Sequence, residues 1–192
     1  EEDKHYRKSD SIYIAQNTPE YLDSMDRKRN KFTLTKLLIS GYSYSKKNDT
    51  TYKSFSTGTL PLTIGYNTVE GTFINYKLNY YRYNYINRKY TSITPIIRYG
   101  FMNKNLALGL TFNKSIQPKT STSIGIKAGS FIQQYNEAEP INSLLNTAYT
   151  LFDRLNYAKL IQKNMLDVTL NRELFNGFYA SINLQLHERL AL

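Results

Sequence analysis

Thr72-Phe73-Ile74-Asn75-Tyr76-Lys77-Leu78-Asn79-Tyr80 is the stretch on which the reading of this chain turns, because apolar and polar residues alternate with period two. Thr72, Ile74, Tyr76, Leu78 and Tyr80 share one face, and Asn75, Lys77 and Asn79 share the other. The same alternation continues to Phe131. In the next segment Ile93, Pro95, Ile97, Tyr99 and Phe101 oppose Ser92, Thr94, Arg98 and Gly100. Leu106, Leu108, Leu110 and Phe112 oppose Ala107, Gly109, Thr111 and Asn113, and Thr122, Ile124, Ile126 and Ala128 oppose Ser123, Gly125, Lys127 and Gly129. The linking turns, at Asn87-Arg88-Lys89, Asn103-Lys104-Asn105 and Lys114 to Lys119, are short and polar, so consecutive strands should form an antiparallel meander.

The pattern resumes after an interruption. Leu166, Val168 and Leu170 oppose Asp167, Thr169, Asn171 and Glu173; Asn176-Gly177 marks a hairpin; Ala180, Ile182, Leu184 and Leu186 oppose Ser181, Asn183 and Gln185. Between these blocks, Leu144, Leu145, Ala148, Leu151, Phe152 and Leu155 recur at helical spacing, which predicts a short helix near 143–160 in a long connection. Thr18-Pro19-Glu20 has the form of a helix start, so a short helix is expected over about 19–29. We expect a strand over 31–44 and an irregular strand, or two short ones, over 54–66. Pro95 lacks a backbone donor, which predicts a bulge or an unpaired position there.

Composition bounds the function. The 192 residues carry a formal charge of +10, which calls for an anionic neighbour such as a membrane surface, lipopolysaccharide or nucleic acid. There is no cysteine, which removes disulfides, thiolate metal sites and thiol nucleophiles. Residues 1–31 balance seven acids against seven bases and read as a lead-in segment, with residues 32–192 holding the strands. Glu1 opens no basic, apolar, small-residue leader, so the chain reads as a mature form or an excised piece.

Two features point toward a membrane wall. Several strands span about ten residues or more, the length that crosses a bilayer at a tilt. The polar face carries isolated mid-strand charges among Gly, Ser, Thr and Asn, as a lumen would. The lipid-facing set is then Ile74, Leu78, Ile93, Ile97, Leu108, Leu110, Ile124, Ile126, Val168, Leu170, Ile182 and Leu184, and the lumen-facing charges are Lys77, Arg98, Lys127, Asp167 and Glu173. Tyr80, Tyr83, Tyr85 and Tyr99, near strand ends, are the candidate interface aromatics.

From Gly71 to Asn136 no acid occurs, while Lys77, Arg82, Arg88, Lys89, Arg98, Lys104, Lys114, Lys119 and Lys127 do. Either Lys77, Arg98 and Lys127 set an anion preference in the lumen while Arg88, Lys89, Lys104 and Lys114 meet lipid phosphates, or the lumen cations pair with Asp167, Glu173 or carboxylates on strands outside this chain. Of the two, pairing is the reading favoured. Catalysis has little support: His5 and His187 stand alone, and no Ser-His-acid arrangement, metal-ligand spacing or cofactor motif is present.

Tyr21-Leu22-Asp23-Ser24-Met25-Asp26-Arg27-Lys28-Arg29-Asn30-Lys31-Phe32, Asn67-Thr68-Val69-Glu70-Gly71, Ile93-Thr94-Pro95-Ile96-Ile97-Arg98-Tyr99-Gly100-Phe101, Asn146-Thr147 with Tyr149-Thr150-Leu151, Asn156-Tyr157 with Lys159, and Arg172-Glu173-Leu174 with Asn176-Gly177 carry a resemblance. Together they resemble the uncharacterised outer-membrane β-barrel family of Bacteroidetes that usually follows a carboxypeptidase-regulatory-like domain. The resemblance implies an outer-membrane location, a fragment of a larger barrel without its preceding domain, and no catalytic residues. The expected fold is therefore all-β, an antiparallel meander forming part of a transmembrane β-barrel. The expected protein is non-enzymatic, without a cofactor, and acts in transport, envelope assembly or structural anchoring, with outer-membrane lipid, lipopolysaccharide or other envelope proteins as partners. The alternative is a soluble β-rich domain binding nucleic acid or another anionic ligand. It is disfavoured because the tyrosines fall on both faces instead of forming one stacking platform.

Overall fold

The computed structural model describes residues 11–15, 18–136, 138 and 140–192. The first ten residues, with His5, and two acids of the loop at 136–140 lie outside them. Helix α1 spans Pro19–Arg29 as its start signal requires: the Thr18 hydroxyl accepts from the Tyr21 amide and Pro19 occupies the first turn. An Asp26–Arg29 ion pair lies along it.

Of the expected strand over 31–44 only Ser43 and Tyr44 are strand; the rest is a helix between two short loops. Thr33 caps α2, Leu34–Ile39, by accepting from the Lys36 amide, and Lys36 Nζ reaches back to the Arg29 carbonyl at 2.8 Å. The Leu37-Leu38-Ile39 run breaks period two, and the cap with a cation on the end of α1 selects the helix. Gly41, at φ 78°, turns the chain into the sheet.

Strands β1 (Ser43–Lys47) and β2 (Thr51–Thr57) form the first hairpin. A four-residue helix, α3 (Leu60–Thr63), built on Pro61, separates β2 from β3 (Ile64–Asn67), so 54–66 holds two short strands. The wall follows as β4 (Gly71–Asn84), β5 (Lys89–Gly100), β6 (Asn105–Gln117), β7 (Thr122–Gln134), β8 (Leu160–Phe175) and β9 (Phe178–Ala191). These strands are 12 to 16 residues long. Strand β6 runs through Lys114, which is therefore a strand residue and not part of a turn; the turn is a 3₁₀ segment, Pro118–Thr120, closed by Ser121 at φ 45°. Helix α4 is Ser143–Phe152, capped by Asn142, within the predicted connection.

All pairings are antiparallel, in the order β1-β2-β4-β5-β6-β7-β8-β9 with β3 beside β4, and the sheet does not close. Among the described residues β1 and β9 end this path, and β3, paired only with β4, is a further short edge. The β1 edge is occupied by the Asn30 side chain, which pairs with the Ser45 carbonyl at 2.6 Å and the Ser45 amide at 2.7 Å, as a neighbouring strand would. Opposite Pro95 the β4–β5 ladder skips from Lys77↔Ile96 to Tyr80↔Ile93, and the Thr94 hydroxyl donates to Asn79 Oδ1 across the gap at 3.1 Å.

Register aligns the faces across the wall. Tyr44, Phe55, Tyr80, Ile93, Phe112, Ile126, Val168 and Leu184 form one continuous row. The twelve residues from Ile74 to Leu184 expected on the apolar face all lie on it, and none is buried. The buried apolar residues are instead Phe73, Ala107, Phe131 and Ala158. Phe73 and Phe131 belong to the polar face; Phe73 shares a cavity with residues of α3 and α4, and Phe131 lies over Gly109 beside Lys127. The accessible surface is 13565 Å², against about 9,400 Å² expected for a globular chain of this mass.

Candidate functional site on the polar face

The site begins at the tight β3–β4 turn. Asn67 Oδ1 accepts from the Val69 and Glu70 amides at 3.0 and 2.8 Å, and Gly71 at φ 66° completes the reversal. A Cβ on Gly71 would come within 2.9 Å of Met102 Cβ, so the position has no room for a side chain. The turn drives the Glu70 carboxylate inward, where it is 0% exposed.

Glu70 is fully partnered. Oε1 accepts from Arg98 Nε at 2.9 Å, while Oε2 accepts from Arg98 Nη2 at 2.5 Å and from Asn67 Nδ2 at 2.7 Å. The Arg98 guanidinium also lies 4.3 Å from the centre of the Phe73 ring. Gly100 provides the space: a Cβ there would stand 2.4 Å from Asn103 Oδ1 and 2.9 Å from Glu70 Cβ. The carboxylate for Arg98 thus comes from neither Asp167 nor Glu173 nor a strand outside the chain. It stands one residue before the acid-free stretch, in a turn where strand-face reasoning does not look; its signal was Asn67 and Gly71 bracketing a lone acid.

A second hub locks the β7–β8 connection onto this turn. Asn146, buried on α4, accepts from the Tyr157 and Ala158 amides at 2.9 and 3.0 Å and donates to Asn156 Oδ1 at 2.8 Å. Asn156 in turn donates to the Thr68 hydroxyl at 2.7 Å, and the Tyr66 amide donates to the Thr147 hydroxyl at 3.1 Å. Periodicity cannot signal this hub, because the helix buries its polar side, with Asn146 and Thr150, and leaves the apolar stripe of Leu144, Leu145, Leu151 and Phe152 exposed. Between α4 and the sheet lies a cavity of about 570 Å³, lined in part by Phe73, Asn75, Lys77, Arg98, Gln133 and Asn146.

The other polar-face charges are held differently. Asp167 accepts from Asn183 Nδ2 at 2.8 Å, Gln185 Nε2 at 3.0 Å and Thr169 Oγ1 at 3.2 Å. Lys127 is its register neighbour, yet Lys127 Nζ sits 4.8 Å from the centre of the Phe131 ring and makes no ion pair among the described residues. Phe131 fits there because Gly109 is bare; a Cβ on Gly109 would meet the ring at 2.3 Å. Lys77 faces the cavity and makes no ion pair among the described residues. Glu173 accepts from the Gly177 amide at 3.0 Å and so braces the β8–β9 hairpin. The site therefore joins Arg98 and Lys77 around one cavity and leaves Asp167 and Glu173 in separate structural roles.

The aromatic candidates divide. Tyr80 and Tyr99 lie on the apolar face, whereas Tyr83 lies on the polar face, in edge contact with Tyr85 at 5.2 Å. Tyr52, Tyr81 and Tyr90 group on that polar face as well, with Tyr81 and Tyr90 stacked at 6.3 Å. This group was not evident from the sequence, since β2 was not placed beside β4. Among the described residues no set of three His, Cys, Asp or Glu side chains could hold a metal ion. His187 lies opposite Met165 on β9 and is exposed.

A family model matches residues 35–192, described as the C-terminal domain of a family of unknown function, DUF5686. No curated protein and no solved structure matches the chain.

Proposed function

The chain belongs to the DUF5686 C-terminal-domain family, and from that premise we propose that it is a wall segment of an outer-membrane β-barrel, non-enzymatic, serving transport, envelope assembly or structural anchoring. The supporting observation is the inverted distribution of polarity. Leu108, Leu184 and Leu186 are 52%, 67% and 71% exposed while the polar face holds a fully buried carboxylate. Leaving such a face in water is unfavourable by roughly 25 cal/mol per Å² of apolar area, whereas lipid removes the penalty. Strands of 12 to 16 residues exceed the 9 to 11 or so that a tilted crossing needs. The resemblance to Bacteroidetes barrels that follow a carboxypeptidase-regulatory-like domain agrees with this reading. On it, α4 and its connection occupy the lumen side, and the sheet closes with strands beyond those described.

The test is membrane partition together with heat-modifiable mobility in detergent. Recovery in the outer-membrane fraction with a fast-migrating unheated band is expected; clean solubility without detergent overturns the proposal.

A soluble nucleic-acid binder is the second reading, and the Tyr52, Tyr81 and Tyr90 group favours it. Of the cations at that end of the sheet, Lys53, Arg82 and Lys114 project from the opposite face and Lys47, opposite Tyr52, shares the face of the rings, so most of the positive charge is separated from the stacking group. A gel shift at two salt concentrations distinguishes the readings, since phosphate binding weakens steeply with salt.

A further inference from the structure

One rung beyond the Tyr44–Phe55–Tyr80 row, on the same apolar face, register brings Lys46, Lys53, Arg82, Thr91 and Lys114 into line across β1, β2, β4, β5 and β6. Lys46 stands directly opposite Lys53, and Lys53 directly opposite Arg82. Neighbouring strands are about 4.8 Å apart, and like charges directly opposite one another destabilise a sheet. All four cations are exposed, and none has an ion pair or a side-chain hydrogen bond among the described residues. Lys89, exposed on the same face of β5 two residues from Thr91, adds a fifth.

Local structure does not account for this arrangement, because each of the three cations on β1, β2 and β4 raises the energy of its neighbour. An anionic surface running along the row reverses the sign of that interaction. On β4 and β6 the order along this face, Leu78-Tyr80-Arg82 and Leu110-Phe112-Lys114, is aliphatic, ring, cation, which matches the order of hydrocarbon, interface and phosphate at a bilayer. Beyond β6 the same rung continues as Ile124, Leu170 and Ile182.

We propose that Lys46, Lys53, Arg82 and Lys114 form a binding row for the phosphates of anionic lipid in the membrane that the wall spans. The proposal rests on the barrel reading above and adds to it a partner class and a position: the end of the wall that carries the β1–β2, β4–β5 and β6–β7 turns sits at an anionic headgroup layer.

The test uses the full chain purified in neutral detergent and exchanged, at low ionic strength, into vesicles of phosphatidylcholine alone or of phosphatidylcholine with phosphatidylglycerol. The wild type should favour the anionic vesicles by at least tenfold or so, with the preference falling as salt rises. The variant K46Q/K53Q/R82Q/K114Q should lose that preference yet still enter both kinds of vesicle. It should melt no lower than the wild type, since its like-charge contacts are gone, which separates lost binding from lost folding. The control K104Q/K159Q should keep the preference. Equal uptake of the wild type by both vesicles, or a preference that survives the fourfold substitution, overturns the row and leaves the barrel reading standing. Exclusion from both vesicles overturns the two together.

Discussion

Arg98 and Arg82 are on adjacent strands of one sheet, yet their surroundings are opposite. Arg98, on the polar face, is held by a carboxylate that is 0% exposed, by an amide that fixes that carboxylate, and by an aromatic ring. Arg82, on the apolar face, stands against Lys53 and has no ion pair among the described residues. The comparison separates two uses of positive charge. On the polar face the guanidinium is a structural rivet joining the β3–β4 turn to the wall; on the apolar face the cations are left for something outside the sheet.

The contrast can be broken most forcefully at Glu70. Glu70→Ala leaves the Arg98 guanidinium buried and unpaired, and should destabilise the folded state by about 3–5 kcal/mol, read as a lower denaturant midpoint in detergent. A double variant, E70Q/R98M, should recover much of that loss. Next in size is a charge placed on the apolar face: Leu184→Lys should destabilise the membrane-inserted form by about 2–4 kcal/mol, while Asn183→Lys on the polar face should have a much smaller effect. Equal effects at the two positions would remove the basis for calling one face lipid-facing.

Asn146→Ala opens the second hub by removing the acceptor of the Tyr157 amide and of the buried Ala158 amide. We expect a loss of about 1–3 kcal/mol, with faster hydrogen exchange at the Tyr157 and Ala158 amides and faster proteolysis of the β7–β8 connection, while the β4–β5 amides keep their protection. The smallest effect has the opposite sign. Lys53→Gln should stabilise the protein in neutral detergent by a few tenths of a kcal/mol, because two like-charge contacts disappear. A destabilisation there would show that Lys53 has a structural partner.

The wall from β4 to β9 was legible because period two needs no long-range information: a half-covered strand must alternate, whatever lies beside it. Helix α1 was legible for an equally local reason, the Thr18-Pro19-Glu20 start. Helix α2 was misread as strand because Leu37-Leu38-Ile39 carries neither period clearly, and what decided it was the Thr33 cap with Lys36 on the end of α1. Glu70 was missed as the partner of Arg98 because the two are 28 residues apart, and only the fold of the turn aims one at the other.

The sequence by itself determined the strand faces, the apolar set, the hairpin at Asn176-Gly177, the break in the ladder at Pro95 and the net positive charge, all consequences of local periodicity and backbone chemistry. The tertiary structure alone decided which positions meet. It gathered Asn67, Glu70 and Arg98 into one hydrogen-bonded hub, and Asn146, Thr147 and Asn156 into a second that ties the β7–β8 connection to the same turn. It also aligned Lys46, Lys53 and Arg82, because cross-strand register depends on turn lengths and on the α3 insertion between β2 and β3, which no single strand records.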